Sequence, residues 1–208
     1  MTATLTRRLQ LGAFDQACPG WVNTDVTPHL LVARVPGMAR ALHAAGVLDE
    51  HRWQQHREGR FRSLRWLDVA RPFRFPDQSF EAVYSSHLLE HLHPDVAEQC
   101  LSEILRVLIP GGVLRIAVPD LDSMVERYDP ANPDEFLWGV YQGRGARANR
   151  LARHWWHYNA VSLAAVLRRL GYGDVTRCEY RQGRCPDLER IETREWSLFM
   201  EGLRQAAG

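Results

Sequence analysis

The sequence contains no lysine: all 26 basic residues among its 208 are arginines. An enzyme that forms a Schiff base needs a lysine amine as its nucleophile, and a P-loop nucleotide hydrolase needs a lysine to bind phosphate. Both classes of enzyme are therefore excluded. The arginines are balanced by 25 acidic residues, which gives a net charge of +1. Binding to nucleic acid or to a membrane through bulk charge is accordingly not expected.

The sequence also has few cysteines and no long apolar run. Cys18, Cys100, Cys178 and Cys185 form no C-x-x-C pair, so we expect reduced thiols and neither a disulfide framework nor a zinc knuckle. No apolar stretch approaches the roughly 20 residues of a membrane-spanning helix. The N-terminal segment lacks the apolar centre of a secretory signal. We therefore expect a cytoplasmic protein.

The spacing of apolar residues predicts strands that alternate with helices. Strands are expected at 9–13, 21–26, 64–69, 80–86, 113–118, 174–180 and 195–200, and helices within 30–58, from Asp95 onward and at 160–170. The helix near Asp95 is expected to begin with a capping box of Asp95 and Glu98 and to end at the Pro-Gly-Gly of 110–112. Such alternation predicts right-handed crossovers and a mostly parallel sheet with helices on both faces.

Two segments carry a resemblance to a known family. Residues 67–92 read LDVARPFRFPDQSFEAVYSSHLLEHL, and residues 103–121 read EILRVLIPGGVLRIAVPDL. An acidic residue, a Pro-rich turn, a strand, "LEH" and "PGG", in this order, are similar to the centre of the class I (Rossmann-like) S-adenosylmethionine-dependent methyltransferases. The resemblance implies one α/β domain over residues 1–208, with a seven-stranded, mostly parallel sheet and an antiparallel C-terminal strand. It also implies a helical insert at 28–62 and a substrate or lid region at 121–160.

The resemblance and the geometry of open parallel sheets point to the same cofactor site. In such sheets a ligand lies beyond the carboxyl ends of the strands. Gly12 would let the backbone approach S-adenosylmethionine, Asp25 would accept hydrogen bonds from the ribose, Asp68 from the adenine amine, and Ser85 would contact the methionine part. An Asp at a strand end is also a good turn or N-cap residue, but the joint pattern favours the cofactor role. The full implied set is Leu11, Gly12, Ala13, Phe14, Asp25, Asp68, Val69, Ser85, Ser86 and His87.

The sequence departs from the family pattern at Phe14. The family usually has G-x-G after the first strand, and this chain has Gly12-Ala13-Phe14. A residue other than glycine is strained there if φ is positive. Either the loop takes another path and the site still works, which we favour, or the ring fills the pocket. The second case predicts a binding or scaffold protein that has lost methyl transfer, or an enzyme with different chemistry.

The histidines after the fourth strand invite a zinc interpretation. His87 and His91 stand four residues apart, with Glu90 and His93 beside them. The hydrolase pattern needs a Glu directly after the first His, and Leu88 stands there; we therefore expect no metal. His87 is expected to contact the cofactor, and it is also a catalytic candidate, because an imidazole is a suitable general base near neutral pH.

A second group of candidates lies in the run RHWWHY at 153–158. Aromatic rings beside cationic groups suit a sugar, an aromatic acceptor or a phosphorylated substrate, although a packed lid has the same composition. His154 is the second catalytic candidate. The substrate candidates are Arg153, His154, Trp155, His157 and Tyr158.

These observations lead to one functional hypothesis with alternatives. The chain is expected to be an enzyme that transfers a methyl group from S-adenosylmethionine to an oxygen or nitrogen of a small molecule, for example a sugar or natural-product intermediate. No nucleic-acid or membrane partner is expected, and the chain is expected to be able to form homo-oligomers. A methyltransferase acting on RNA is the weakest alternative, because no basic stripe runs along the sequence.

Overall fold

Seven strands form one sheet at the centre of the computed structural model, which describes residues 7–141 and 152–206. Its order is β3-β2-β1-β4-β5-β7-β6. Strands β1 to β5 run parallel, and β7 is antiparallel to both of its neighbours. This arrangement confirms the predicted fold class. The strands are β1 (Arg7–Leu11), β2 (Val22–Asp25), β3 (Arg65–Trp66), β4 (Phe80–Ser86), β5 (Leu108–Pro119), β6 (Tyr172–Cys178) and β7 (Ser197–Arg204).

The helices connect the strands in the expected alternation. Those of the described residues are α1 (His29–Arg34), α2 (Met38–Ala44), α3 (Glu50–Arg57), α4 (Pro94–Val107), α5 (Leu121–Glu126), α6 (Pro133–Val140), α7 (Ala160–Arg169) and α8 (Leu188–Ile191), with a 3-10 turn at Leu89–His91. Helices α1 to α3 occupy the predicted insert. Within the described part of the chain, no helix is long and apolar enough to cross a membrane. Of the predicted lid region, residues 142–151 lie outside the described residues.

Alternate residues of β4 pack into two different hydrophobic clusters. Val83 belongs to a cluster with Leu101 of α4 and Leu163 of α7. Tyr84 belongs to a second cluster with Trp21 and Leu188. Successive strand residues point to opposite faces, so apolar packing covers both faces of the sheet. Full burial of a leucine-sized side chain contributes roughly 1.5–3 kcal/mol, and such contacts hold the helices on the sheet.

A buried arginine ties the segment after β6 to the sheet. Arg115 of β5 is 0% exposed. Its Nε donates to a carboxylate oxygen of Glu192 at 2.6 Å, and Nη1 lies 3.5 Å from Glu201. Its remaining N–H groups donate to the carbonyl oxygens of Gln182 and Glu179. Every member of this network is paired, which a buried charge requires.

Some predicted boundaries are wrong, for local reasons. Helix α4 has His93 as N-cap and Pro94 at its first position, so the capping box at Asp95 is wrong. Proline is favoured at the first helical position because its fixed φ suits a helix and its missing N–H is not needed there. The Pro-Gly-Gly segment lies inside β5 and not between helix and strand. Helix α7 does begin with a capping box, formed by Asn159 and Ser162.

Candidate functional site

Strands β2, β1 and β4 are neighbours, and their carboxyl ends meet at one edge of the sheet. Leu11 pairs with Thr24 on one side and with Ser85 on the other. The next residue, Gly12, has a φ of +63°, and a Cβ added there would lie 3.3 Å from the Leu88 side chain. Glycine is therefore needed for its conformation, and Leu88 packs over it. The edge brings together the predicted contacts at Gly12, Asp25 and Ser85.

Asp25 is held by the loop that follows β1. Its Oδ2 accepts a hydrogen bond from the backbone N–H of Phe14 at 3.0 Å, and Oδ1 accepts one from Thr27 at 2.6 Å. Burial raises the pKa of this carboxyl above its ordinary value, and these backbone hydrogen bonds oppose the rise. Each oxygen has a second lone pair, so the carboxylate can still accept from a pair of hydroxyls.

The ring of Phe14 packs against the helical insert. It meets the rings of His29 and Phe61 with centroids 6.0 and 5.8 Å apart. The guanidinium carbon of Arg52 lies 4.6 Å from the ring centroid. The φ of Phe14 is 42°, a left-handed conformation that is unfavourable for a bulky residue. The insert therefore receives the ring, and the backbone of the loop is strained.

Asp68 lies two residues beyond β3 on the same side of the sheet. Strand β3 reaches the edge beside β2, where Trp66 pairs with Asp25. One oxygen of Asp68 accepts a hydrogen bond from the N–H of Ala70 at 3.0 Å, and the other lies 3.1 Å from Nε of Arg71. The Asp68 side chain is 30% exposed. It therefore caps its own turn and stays accessible to a ligand.

The other predicted cofactor residues differ in exposure. Leu11 and Ala13 are each only 1% exposed, so their side chains belong to the core and only their backbone can face a ligand. Val69 is partly buried against the hydrophobic cluster that contains Val83, which we call the main cluster, and Ser86 is half-buried. Ser85 is 1% exposed, and its Oγ has no hydrogen-bond partner among the described residues. An unpaired buried hydroxyl is unfavourable, which makes Ser85 Oγ a fitting contact for a polar ligand atom.

His87 contacts residues at the start of β7. Its Nε2 lies 2.8 Å from Oγ of Ser197, and its ring packs against Trp196 at 4.8 Å. Its Nδ1 lies 3.1 Å from Oε1 of Glu90, without the alignment of a hydrogen bond. The backbone of His87 has a φ of 48°. These contacts place the ring of His87 between the 3-10 turn and the start of β7.

Glu90 is a candidate functional residue that was not predicted from the sequence. It is 0% exposed, and neither of its carboxylate oxygens has a hydrogen-bond partner within the described ranges. The two catalytic candidates, His87 and His154, flank this carboxylate. Burial lowers the pKa of His154 to about 4, so its ring is neutral at neutral pH. The sequence feature that could have indicated Glu90 is its place in the "LEH" motif that follows the fourth strand.

The remaining substrate candidates differ in how far their side chains are exposed to solvent. Arg153 and Trp155 are exposed, with the guanidinium 4.6 Å from the indole centroid. His157 is half-buried and its Nε2 lies 2.8 Å from the carbonyl oxygen of Val140. Tyr158 is 3% exposed within the main cluster, and burial raises its pKa to about 12. Tyr158 is therefore placed to pack the core, while the other side chains can meet a substrate.

Two surface cavities lie away from this edge. One, of about 310 Å³, is lined by Leu105, Gly171 and Arg204, and another, of about 380 Å³, by Asn132 and Trp138. The residues that line them are not the ones that meet at the carboxyl ends of β1, β2 and β4. The chemistry at the carboxyl edge is therefore a better guide to function than these depressions.

Comparison with known proteins agrees with this geometry. Residues 38–116 match the family model described as "Methyltransferase domain". This range includes Asp68, Ser85 and Glu90, and it begins after Gly12 and Asp25. A sterol 24-C-methyltransferase of Yarrowia lipolytica is 40% identical over 73 residues. That match spans 34% of this chain and only 18% of the relative.

Solved structures share the fold over nearly the whole chain. An S-adenosylmethionine-dependent methyltransferase from Archaeoglobus fulgidus superimposes with a TM-score of 0.57 at 16% identity, over 96% of this chain and 87% of the other. A possible histamine N-methyltransferase from Thermotoga maritima gives 0.52 at 14% identity, over 96% and 82%. At these identities the likeness shows a shared fold, and the match to the family model over residues 38–116 agrees with the expected methyltransferase class. Residues 38–116 of this chain therefore match a methyltransferase domain, and the described sheet has the fold of S-adenosylmethionine-dependent methyltransferases of known structure.

Proposed function

We propose that this chain transfers the methyl group of S-adenosylmethionine to an oxygen or nitrogen of a small molecule. The observation that carries the proposal is the meeting of Gly12, Asp25 and Ser85 at adjacent strand ends. Gly12 would give the cofactor close access to the backbone, Asp25 would bind the ribose hydroxyls, and Ser85 Oγ would gain a partner for its unpaired buried hydroxyl. Asp68, with its accessible carboxylate, would bind the adenine amine.

The acceptor would lie on the β5–β7 side of the site. His87 and Glu90 are buried together there, and a hydroxyl or ammonium acceptor must lose a proton when it is methylated. His87 is the group we assign to accept that proton, with Glu90 orienting its ring. The exposed aromatic and cationic side chains of Arg153 and Trp155 suit a sugar or a natural-product intermediate as the substrate. A cytoplasmic location and homo-oligomer formation stay predictions.

Binding of S-adenosylhomocysteine, measured by calorimetry, tests the proposal. Ser85→Ala is the sharpest variant, because Ser85 Oγ makes no hydrogen bond within the described protein and its removal leaves no protein group unpaired. We expect unchanged stability and an affinity lowered by about fivefold, the effect of one hydrogen bond worth about 1 kcal/mol. Asp174→Asn, a substitution of an exposed residue beyond the site, should change neither quantity.

Asp25→Asn should weaken binding more strongly. Both oxygens of Asp25 accept backbone N–H groups, so the amide nitrogen of asparagine would face a donor whichever way it turned. Loss of a charged acceptor for the ribose predicts a decrease in affinity of at least about tenfold. If folded wild-type protein binds neither S-adenosylmethionine nor S-adenosylhomocysteine, the proposal fails. The alternative of a binding or scaffold protein then stands.

A further inference from the structure

Three possible metal ligands meet beside the 3-10 turn after β4. Glu90 and His91 belong to this turn, and His154 comes from the chain segment before α7. One ligand atom from each residue lies within 4.8 Å of the other two. We call these three residues the Glu90 cluster. Two histidines and one carboxylate form a donor set that binds zinc and other divalent metals in proteins.

The carboxylate of the Glu90 cluster is buried, and the described residues give it a near neighbour in Nδ1 of His87, 3.1 Å from Oε1, but no aligned hydrogen bond. Glu90 is 0% exposed, and both of its oxygens lack a hydrogen-bond partner among the described residues. A buried carboxylate without a partner is strongly unfavourable. Nδ1 of His154 is also buried without a hydrogen-bond partner in the part of the chain that the structure describes. A bound cation would compensate both groups at once.

The backbone holds the two parts of the Glu90 cluster together. The N–H of Trp155 donates to the carbonyl oxygen of Glu90 at 2.7 Å, and the N–H of Trp156 lies 3.4 Å from the same oxygen. These contacts fix the residue next to His154 onto the turn. Nδ1 of His91 lies 3.1 Å from the carbonyl oxygen of Arg153, which orients the ring and leaves Nε2 for a ligand. Such an outer hydrogen bond is typical of metal-binding histidines.

We propose that Glu90, His91 and His154 bind one divalent metal ion of the zinc class. Zinc–ligand distances near 2.0–2.1 Å place tetrahedral ligand atoms about 3.3 Å apart, so atoms that now lie within 4.8 Å of one another would approach by up to about 1.5 Å on binding. Three protein ligands leave a position open for water or for an oxygen of a substrate. The proposal does not depend on methyl transfer, since it concerns only the affinity of these three side chains for a metal.

Titration of chelator-treated, tag-free protein with ZnCl₂ tests this site. We expect one equivalent of Zn²⁺ per chain after dialysis, measured by elemental analysis, and a raised melting temperature in excess Zn²⁺. His91→Ala, His154→Ala and Glu90→Gln should each weaken binding by at least about tenfold, or 1.4 kcal/mol. His93→Ala is the matched control, because His93 is exposed, two residues from His91, and contacts Asp95. It should bind Zn²⁺ as the parent does.

Specific results would overturn the proposal. A folded parent that retains less than about a tenth of an equivalent of Zn²⁺ would exclude the site at the affinity expected of a resident metal. Unchanged binding in both His91→Ala and His154→Ala would exclude these ligands. A loss seen in His29→Ala but in none of the three cluster variants would place the metal on the separate His29–His56 pair of the helical insert instead. His91 is only partly buried, so its variant decides the matter even if Glu90→Gln does not fold.

Discussion

Substitutions at Phe14 can distinguish two effects on stability: the backbone strain of the loop after β1, and the packing of the Phe14 ring that holds the loop in this conformation. The ring contacts His29, Phe61 and Arg52, and it is only half-buried. Full truncation of a core phenylalanine costs about 3–5 kcal/mol, so we expect Phe14→Ala to lower the free energy of unfolding by about 2–3 kcal/mol. The alanine keeps the unfavourable φ of 42°.

Phe14→Gly removes the same packing but also the backbone strain. A left-handed residue other than glycine costs roughly 1–2 kcal/mol, while the extra freedom of glycine in the unfolded chain costs about 0.4–1 kcal/mol. The glycine variant should therefore equal the alanine variant in stability or exceed it by up to about 1.5 kcal/mol. Both should remain less stable than the parent. Urea unfolding followed by circular dichroism measures all three proteins under one condition.

The same variants decide whether the ring obstructs the cofactor. The N–H of Phe14 donates to Asp25, and the ring anchors the loop on the insert. Loosening this loop should lower the affinity for S-adenosylhomocysteine by a few-fold in both variants. A gain of tenfold or more in Phe14→Gly, about 1.4 kcal/mol, would refute this reasoning and support a pocket blocked by the ring. A variant more stable than the parent would show that the ring contributes nothing.

Three further predictions concern the scaffold. Burial lowers the pKa of both His29 and His56 in the folded protein, so the unfolded chain binds protons more tightly at these positions. The melting temperature should therefore fall as the pH drops below about 6.5, and it should fall less in His56→Gln. Arg115→Met leaves two buried glutamates uncompensated and should cost about 3–5 kcal/mol in urea unfolding. The exposed control Arg169→Met should cost far less, because solvent screens its ion pair with Glu98, and an equal cost would contradict the argument. Asn159→Ala removes the cap of α7 and should cost about 1 kcal/mol by the same measurement, whereas no cost would show that the cap is dispensable.

The strands of the sheet and the helices between them could be predicted from the sequence because the patterns of apolar residues that indicate them are local and recur along the chain. Strand β4 is mostly buried and rich in apolar and aromatic residues, and α4 presents a clear apolar face. Edge elements were harder. Strand β3 has two exposed residues, Arg65 and Trp66, so its apparent apolar run at 64–69 overstated its length. The start of α4 was predicted wrongly because both Asp95 and Pro94 are residues that favour a helix N-terminus. In the structure the helix begins at Pro94, with His93 as the N-cap.

The candidate site was predictable only where its residues follow strand ends. Gly12, Asp25 and Ser85 each end or follow a strand, so their meeting follows from the order of parallel strands. The approach of His154 to Glu90 follows from no periodicity, because these residues are far apart in the chain and meet through backbone hydrogen bonds of Trp155 and Trp156. The packing of Phe14 was likewise unpredictable, since it depends on the arrangement of three helices in the insert.

The position of β7 has a consequence for the order of folding. Strand β7 is the last strand in the chain, yet it lies between β5 and β6 in the sheet. Until β7 is in place, β6 has no neighbouring strand and one edge of β5 has unpaired backbone groups. We expect β6 and β7 to pair first as an antiparallel unit and then dock on β5, because neighbouring segments close a shorter loop. A ribosome-bound chain ending before β7 should therefore expose the apolar edge of β5, which is a template for aggregation.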